Sequence, residues 1–286
     1  MNEPRRSGKW RVGSLGTAAL ALLITTAGAG SANALPPVAM RIVGHGPVVV
    51  FESGMGETQG SWRTVATALA CCLTVVTYDR PGIGGSPVNS PIKPVLAAKV
   101  ADDLLLQLRA HHLSPPFILV GHSIGGLYVQ AFARNHPSAV AGLVLVDASS
   151  PLEPPGVFVS TVAPKPGTVE AAEEAGVAPS TAALLAGPAL PPVPLVVIAA
   201  TNHGDTLKRE SMWQDVQRRT AALSPKGKLI IVNSGHFVQT QRPATVIDAV
   251  LTVAAESGTN VAACRERTRG AGREKPSTAE SSPDSP

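Results

Sequence analysis

Short apolar, β-branched runs recur along the chain at residues 48–51, 73–78, 117–120, 142–146, 195–199 and 229–232. They are near-continuous rather than alternating, which is how strands covered on both faces of a parallel sheet read. A shorter run at 40–43 predicts one more strand, paired before the first of these. Between the runs, residues 62–70, 95–113, 127–135, 209–222 and 244–256 carry apolar side chains at spacings of three and four, and Pro243 stands where a helix would start. Strand and helix alternating this often predict an α/β fold, a doubly wound, mostly parallel sheet flanked by helices.

The alternation lapses at residues 150–193, which hold many Pro and Ala and a single helical pattern near 169–175, and read as an inserted lid above the sheet. From residue 257 the composition turns to Ser, Pro, Gly, Arg and Glu and predicts a disordered tail over 257–286. The first 34 residues read as an export signal. Arg5, Arg6, Lys9 and Arg11 precede an apolar core at 15–29, and Ala32, Asn33 and Ala34 make a small-residue cleavage site. An uncleaved anchor is the alternative, although the apolar run is short for a bilayer. The expected organisation is therefore signal 1–34, catalytic-type domain 35–256 and tail 257–286. The expected location is secreted, periplasmic or in the cell envelope, with membrane contact only transient and through the signal.

Charge and cysteines narrow the classes. Only 15% of the 286 residues are charged and 44% are apolar, which does not suit a nucleic-acid binder. Without residues 1–34 the chain loses four basic side chains and Glu3, and its formal net charge falls from +4 to +1, so steering of an acidic partner is not indicated. Cys71 and Cys72 are neighbours and Cys264 is distant. In an oxidising compartment one of the pair bridges Cys264 and leaves the other free; the competing reading is two small buried residues and a loose tail thiol. No Cys-x-x-Cys or zinc-type spacing occurs, and neither a metal nor a cofactor is expected.

The chemistry is concentrated in ILVGHSIGGLYV at 118–129. Gly121-x-Ser123-x-Gly125 stands directly between a predicted buried strand and an amphipathic helix, the context of a nucleophile elbow. A Ser held in a strained backbone conformation at so tight a turn tolerates only small residues two positions away on either side. A Ser hydroxyl needs a base. Of seven histidines, His236 in NSGHFVQTQRP follows the final strand and precedes the last helix, where a loop can hang over the sheet edge. Ser90-Pro91-Ile92-Lys93 fits a Ser-x-x-Lys pattern but lies in a Pro-rich loop without that pattern's companion motifs.

On these residues the chain resembles the α/β-hydrolase superfamily over roughly residues 37–255. The resemblance implies the order Ser, acid, His, which Ser123 and His236 fit. FESGMGETQGSW looks like the family's oxyanion loop, implying backbone N–H donors at Met55 and Ile124, although Ser53-Gly54 replaces the frequent His-Gly. TYDRPGIGGSP matches the family's Asp-x-x-Gly-x-Gly-x-Ser loop, with Asp79 and Arg80 structural. The acid stays open between Asp147, ending LVLVD, and Asp205. The usual position after PLVVIAA falls on His203, and Asp205 comes two residues late. The likeness to dehalogenases and epoxide hydrolases stops at the nucleophile, where those use Asp. The expected activity is cleavage of carboxylic ester or related acyl bonds by a serine hydrolase of the esterase or lipase type, on a small acyl ester with an apolar acyl chain. A non-catalytic envelope-binding protein and an acyltransferase are the alternatives.

Overall fold

A computed structural model of the chain describes residues 35, 37–158 and 163–271, without the side chains of 269–271. The expected signal 1–34 and residues 272–286 lie outside the described residues. Seven strands form one sheet: β1 (Met40–Gly44), β2 (Val48–Glu52), β3 (Thr74–Tyr78), β4 (Phe117–His122), β5 (Val140–Val146), β6 (Leu195–Ala200) and β7 (Gly227–Val232). Their order is β1-β3-β2-β4-β5-β6-β7, parallel except for β1. The predicted edge strand exists, but it pairs antiparallel with β3, Met40 opposite Tyr78, rather than with the strand that follows it.

Among the described residues, eight α-helices accompany the sheet: α1 (Arg63–Leu69), α2 (Ala97–Ala110), α3 (Gly125–Asn135), α4 (Val169–Ala186), α5 (Leu207–Ala221), α6 (Val238–Gln241), α7 (Pro243–Glu256) and α8 (Ala262–Ala271). Successive strand side chains point to opposite faces, and the core divides accordingly. Val48, Val50, Leu119 and Leu145 pack with Leu104 and Leu108 of α2 and Leu127 and Phe132 of α3. Val49, Phe51, Val120 and Val144 pack with Val65 and Leu69 of α1 and Val246 and Val250 of α7 on the other face. Burial on both faces is why these strands read as unbroken apolar runs. None of the helices among the described residues is long and apolar enough to cross a membrane.

Two further sequence expectations change. The helix predicted at 169–175 runs on to Ala186 through Gly176 and Pro179. Gly176 lies so close to the Val95 backbone that a Cβ would meet its carbonyl oxygen, and Ser180 Oγ accepts from Ala97 N at 2.9 Å. Docking onto the start of α2 thus carries the helix past residues that normally stop one. The tail is likewise not disordered from residue 257, because α8 follows. Cys264 is buried and bonded to Cys72, and Val261 is buried beside it. Polar composition hid a helix held by one covalent bond and a few apolar contacts.

The chain leaves β2 for β3 on one side and returns to β4 on the other. This reversal opens a crevice at the carboxyl ends of β2 and β4, where parallel α/β sheets place their ligands. ILVGHSIGGLYV and FESGMGETQGSW both end there.

Candidate active site

Ser123 follows β4 with φ +52° and stands one residue before α3. The flanking glycines are required by contact. A Cβ on Gly121 would lie 2.6 Å from the carbonyl oxygen of Gly125, and one on Gly125 would lie 2.6 Å from that of Glu52. The turn is pinned on both sides, Ser123 N donating to Val146 O at 3.3 Å and Ser149 N to Ser123 O at 2.8 Å. Ser123 is left half-buried at the positive end of the α3 dipole, where developing negative charge is favoured.

The second positive φ at the sheet edge belongs to Asp147, at +42°, directly after β5. Its carboxylate is fully buried and accepts four hydrogen bonds. Oδ1 takes Ala200 N at 2.9 Å and Trp213 Nε1 at 2.7 Å; Oδ2 takes His236 Nδ1 and His203 Nε2, each at 2.7 Å. Burial alone would raise the Asp147 pKa, but the hydrogen bonds and charges of the two imidazoles outweigh it and hold the carboxyl well below its ordinary range. His236 thus donates from Nδ1, which leaves Nε2 to act as an acceptor. Its ring stands 4.7 Å from that of His122, the residue before Ser123, and His122 Nε2 donates to the His236 carbonyl at 2.9 Å.

Of the two acids left open by the sequence, the structure brings Asp147 to His236. Asp205 is instead at the surface, accepting from Thr206 N at the start of α5 and pairing with Arg209. Met55 lies in the loop after β2, half-buried, and Ile124 is the capping residue just before α3. The Met55 loop is held from below. Arg80 Nη1 donates to Ser53 O and Nη2 to Gly54 O, both at 2.7 Å, while Glu173 Oε2 of α4 accepts from Gly56 N at 3.0 Å. Arg80 also pairs with Glu173 at 2.6 Å and Glu52 at 2.7 Å. Burial outweighs the Arg80 charge and raises the Glu52 pKa, and Tyr78 donates to its other oxygen.

The α/β hydrolase fold family model matches residues 47–188. A thermophilic esterase from Thermogutta terrifontis superposes with a TM-score of 0.60 at 19% identity, over 78% of this chain and 94% of that one. The chain is a member of the α/β-hydrolase fold superfamily. The pimeloyl-[acyl-carrier protein] methyl ester esterase of Chromobacterium violaceum is 40% identical over 112 residues, 39% of this chain and 41% of that protein. The uncharacterized protein YqjL of Bacillus subtilis is 25% identical over 213 residues, 73% of this chain and 83% of that one. The chain spans about two fifths of the length of the esterase relative.

Set in the α/β-hydrolase fold, the departures from pattern have partners. Ser53, in place of the frequent His, accepts from Trp62 Nε1 at 3.0 Å. Glu57 was not singled out by the sequence, yet it joins the Met55 loop to the elbow, accepting from Gly54 N at 2.9 Å and facing His122 Nδ1 at 2.9 Å. Burial opposes its charge, but the bond to His122 prevails and lowers its pKa. His203 is the larger omission. It stands where the family usually has its acid, and that coincidence of position was the available signal. Glu173 could not be found by pattern, being one of several acids in an Ala-rich stretch.

Asp147, His203 and His236 are close enough together to suggest a cation site, as are Cys71, Cys72 and Cys264. His203, however, faces a carboxylate with each ring nitrogen, Asp147 Oδ2 and Glu210 Oε2, both at 2.7 Å. It donates from both and has no lone pair for a metal. Cys72 is already committed to the disulfide. Beside α4 lies a largely apolar cavity of about 370 Å³, walled by Val88, Ile92, Val100, Leu104 and Ala172, with Arg80 and Glu173 also in its wall.

Proposed function

We propose that the chain is an exported serine hydrolase that cleaves carboxylic ester or related acyl bonds through an acyl-enzyme on Ser123. The observation that carries this reading is the 2.7 Å bond from His236 Nδ1 to the buried Asp147, at the sheet edge where a strained Ser precedes a helix. In the proposed cycle His236 Nε2 takes the Ser123 proton as Oγ attacks the substrate carbonyl, and Asp147 stabilises the imidazolium that forms. The N–H groups of Met55 and Ile124 receive the developing oxyanion. His236 then returns the proton to the leaving alcohol, and water, activated by the same imidazole, releases the acid.

Similarity to a methyl ester esterase supports the bond class. The disulfide supports work outside the reducing cytoplasm. The test is labelling of the mature chain with a fluorophosphonate, the modified peptide being located by mass spectrometry. Label on Ser123, lost in Ser123→Ala and His236→Ala, is expected. A folded wild-type chain that takes no label would sink the reading and leave a hydrolase-like binding protein. Medium-chain esters should be cleaved faster than short polar ones; the reverse order would remove the apolar acyl site.

A further inference from the structure

Asp147 Oδ2 serves two imidazoles at once. A Ser–His–acid arrangement needs only one, so His203 calls for an explanation. The second imidazole is held in place from behind: Glu210 of α5 accepts from its Nδ1 and from its backbone N–H, both at 2.7 Å. With a carboxylate against each ring nitrogen, both nitrogens carry protons and the ring is an imidazolium. Its ring centroid is 6.0 Å from that of His236, with the Trp213 ring 5.5 Å away. The charged and titratable groups around it are Asp147 after β5, Glu210 on α5, His236 after β7, and Asp205 just beyond it, itself paired with Arg209; His236 in turn faces Asp147, His203, His122 and the Glu57 carboxylate from the Met55 loop.

We propose that His203 is a positioning residue that sets the working pH range of the reaction: as a charged second donor to Asp147 it fixes the carboxylate for His236 and keeps His236 unprotonated, and able to act as base, further into acid than a lone His–Asp pair would. The physical cause is competition. Part of the Asp147 charge is spent on His203, and a second positive charge on His236 would stand beside the first. The His203 pKa is consistent with this. Burial lowers it, but the Asp147 and Glu210 bonds prevail and bring it up to about 9. The restraint on His236 therefore operates throughout the neutral and acidic range and is released only in alkali.

The inference rests on the Ser123 hydrolase reading, so its test uses the same probe and needs no natural substrate. The second-order rate of fluorophosphonate labelling of Ser123 is measured from acid to alkaline pH in wild type, His203→Gln, His203→Ala and Glu210→Gln, with folding of each verified by circular dichroism. For unit charges about 6 Å apart near a protein surface, the acidic midpoint should move up by on the order of one pH unit in both His203 variants. Glu210→Gln should move it less and in the same direction. Above the His203 pKa, wild type and His203→Gln should converge. Acidic midpoints that coincide within about 0.2 units in folded His203→Gln and Glu210→Gln would overturn the inference while leaving the hydrolase reading standing. A wild type that takes no label at any pH would overturn both.

Discussion

Two buried carboxylate clusters lie at the carboxyl ends of the strands, one at β2 and one after β5, and they differ in what surrounds the cation. Around Arg80 every member is buried: the guanidinium and its partners Glu52 and Glu173 are at most 4% exposed. Its Nε, Nη1 and Nη2 all donate to protein acceptors, and Tyr128 covers its face at 5.2 Å. Around Asp147 the carboxylate is equally buried, but its imidazole partners are 34% (His236) and 20% (His203) exposed. The first cluster is buried in both its cation and its carboxylates, with the guanidinium held by protein acceptors, and it serves as a strut. The second keeps its anion dry and its exchangeable protons at the water's edge, which is the division a general base requires.

The comparison is broken hardest at the acid. Asp147→Asn puts an amide where four donors converge, and it should lower kcat by about 10³- to 10⁴-fold through loss of the His236 tautomer and imidazolium. Asp205→Asn should leave kcat within about twofold. Steady-state kinetics on an ester that the wild type cleaves, with both variants side by side, decide it; equal losses would remove Asp147 from its role. At the strut, Arg80→Ala leaves two buried carboxylates without a cation and frees Ser53 and Gly54. A stability loss of about 3–5 kcal/mol is expected by denaturant unfolding. A loss under about 1 kcal/mol would show that the cluster is not the strut described.

The smallest effect is the share of the pH dependence of stability that the Asp147 cluster contributes. The folded pKa of His203, about 9, lies above its ordinary 6.5, so its contribution is complete below about pH 6.5 and is lost as pH rises through 9. The Asp147 pKa lies below its ordinary 3.8, so its contribution holds above that value and fades in acid. The cluster's contribution to the melting temperature should therefore be largest from about pH 4 to 6.5 and decline toward pH 9–10, and His203→Ala should flatten that alkaline decline, a change of about 3 °C. An alkaline decline that persists unchanged in His203→Ala would assign it to other groups.

The sheet was legible because burial on both faces writes strands as unbroken apolar runs such as PLVVIAA and LVLVD. The elbow was legible because a tight turn and a close helix leave room only for glycine at 121 and 125. What remained hidden depends on contacts between distant segments. Glu173 meets Gly56 across 117 residues, and His203 meets Asp147 across 56; neither leaves a periodic trace. The helix at 262–271 was hidden for a related reason, since its own composition is polar and its anchor, Cys72, is 192 positions away.

That anchor also gives the molecule a covalent topology. The bond between Cys72 and Cys264 closes a ring that includes Ser123, Asp147, His203 and His236, while Met55 stays on the arm outside it. A single cut anywhere within the ring, in the loop between β5 and α4 for instance, opens the circle without releasing a piece. A nicked chain would run as one species on a gel until reductant is added, and its Ser, Asp and His would remain linked at high local concentration, able to reassemble.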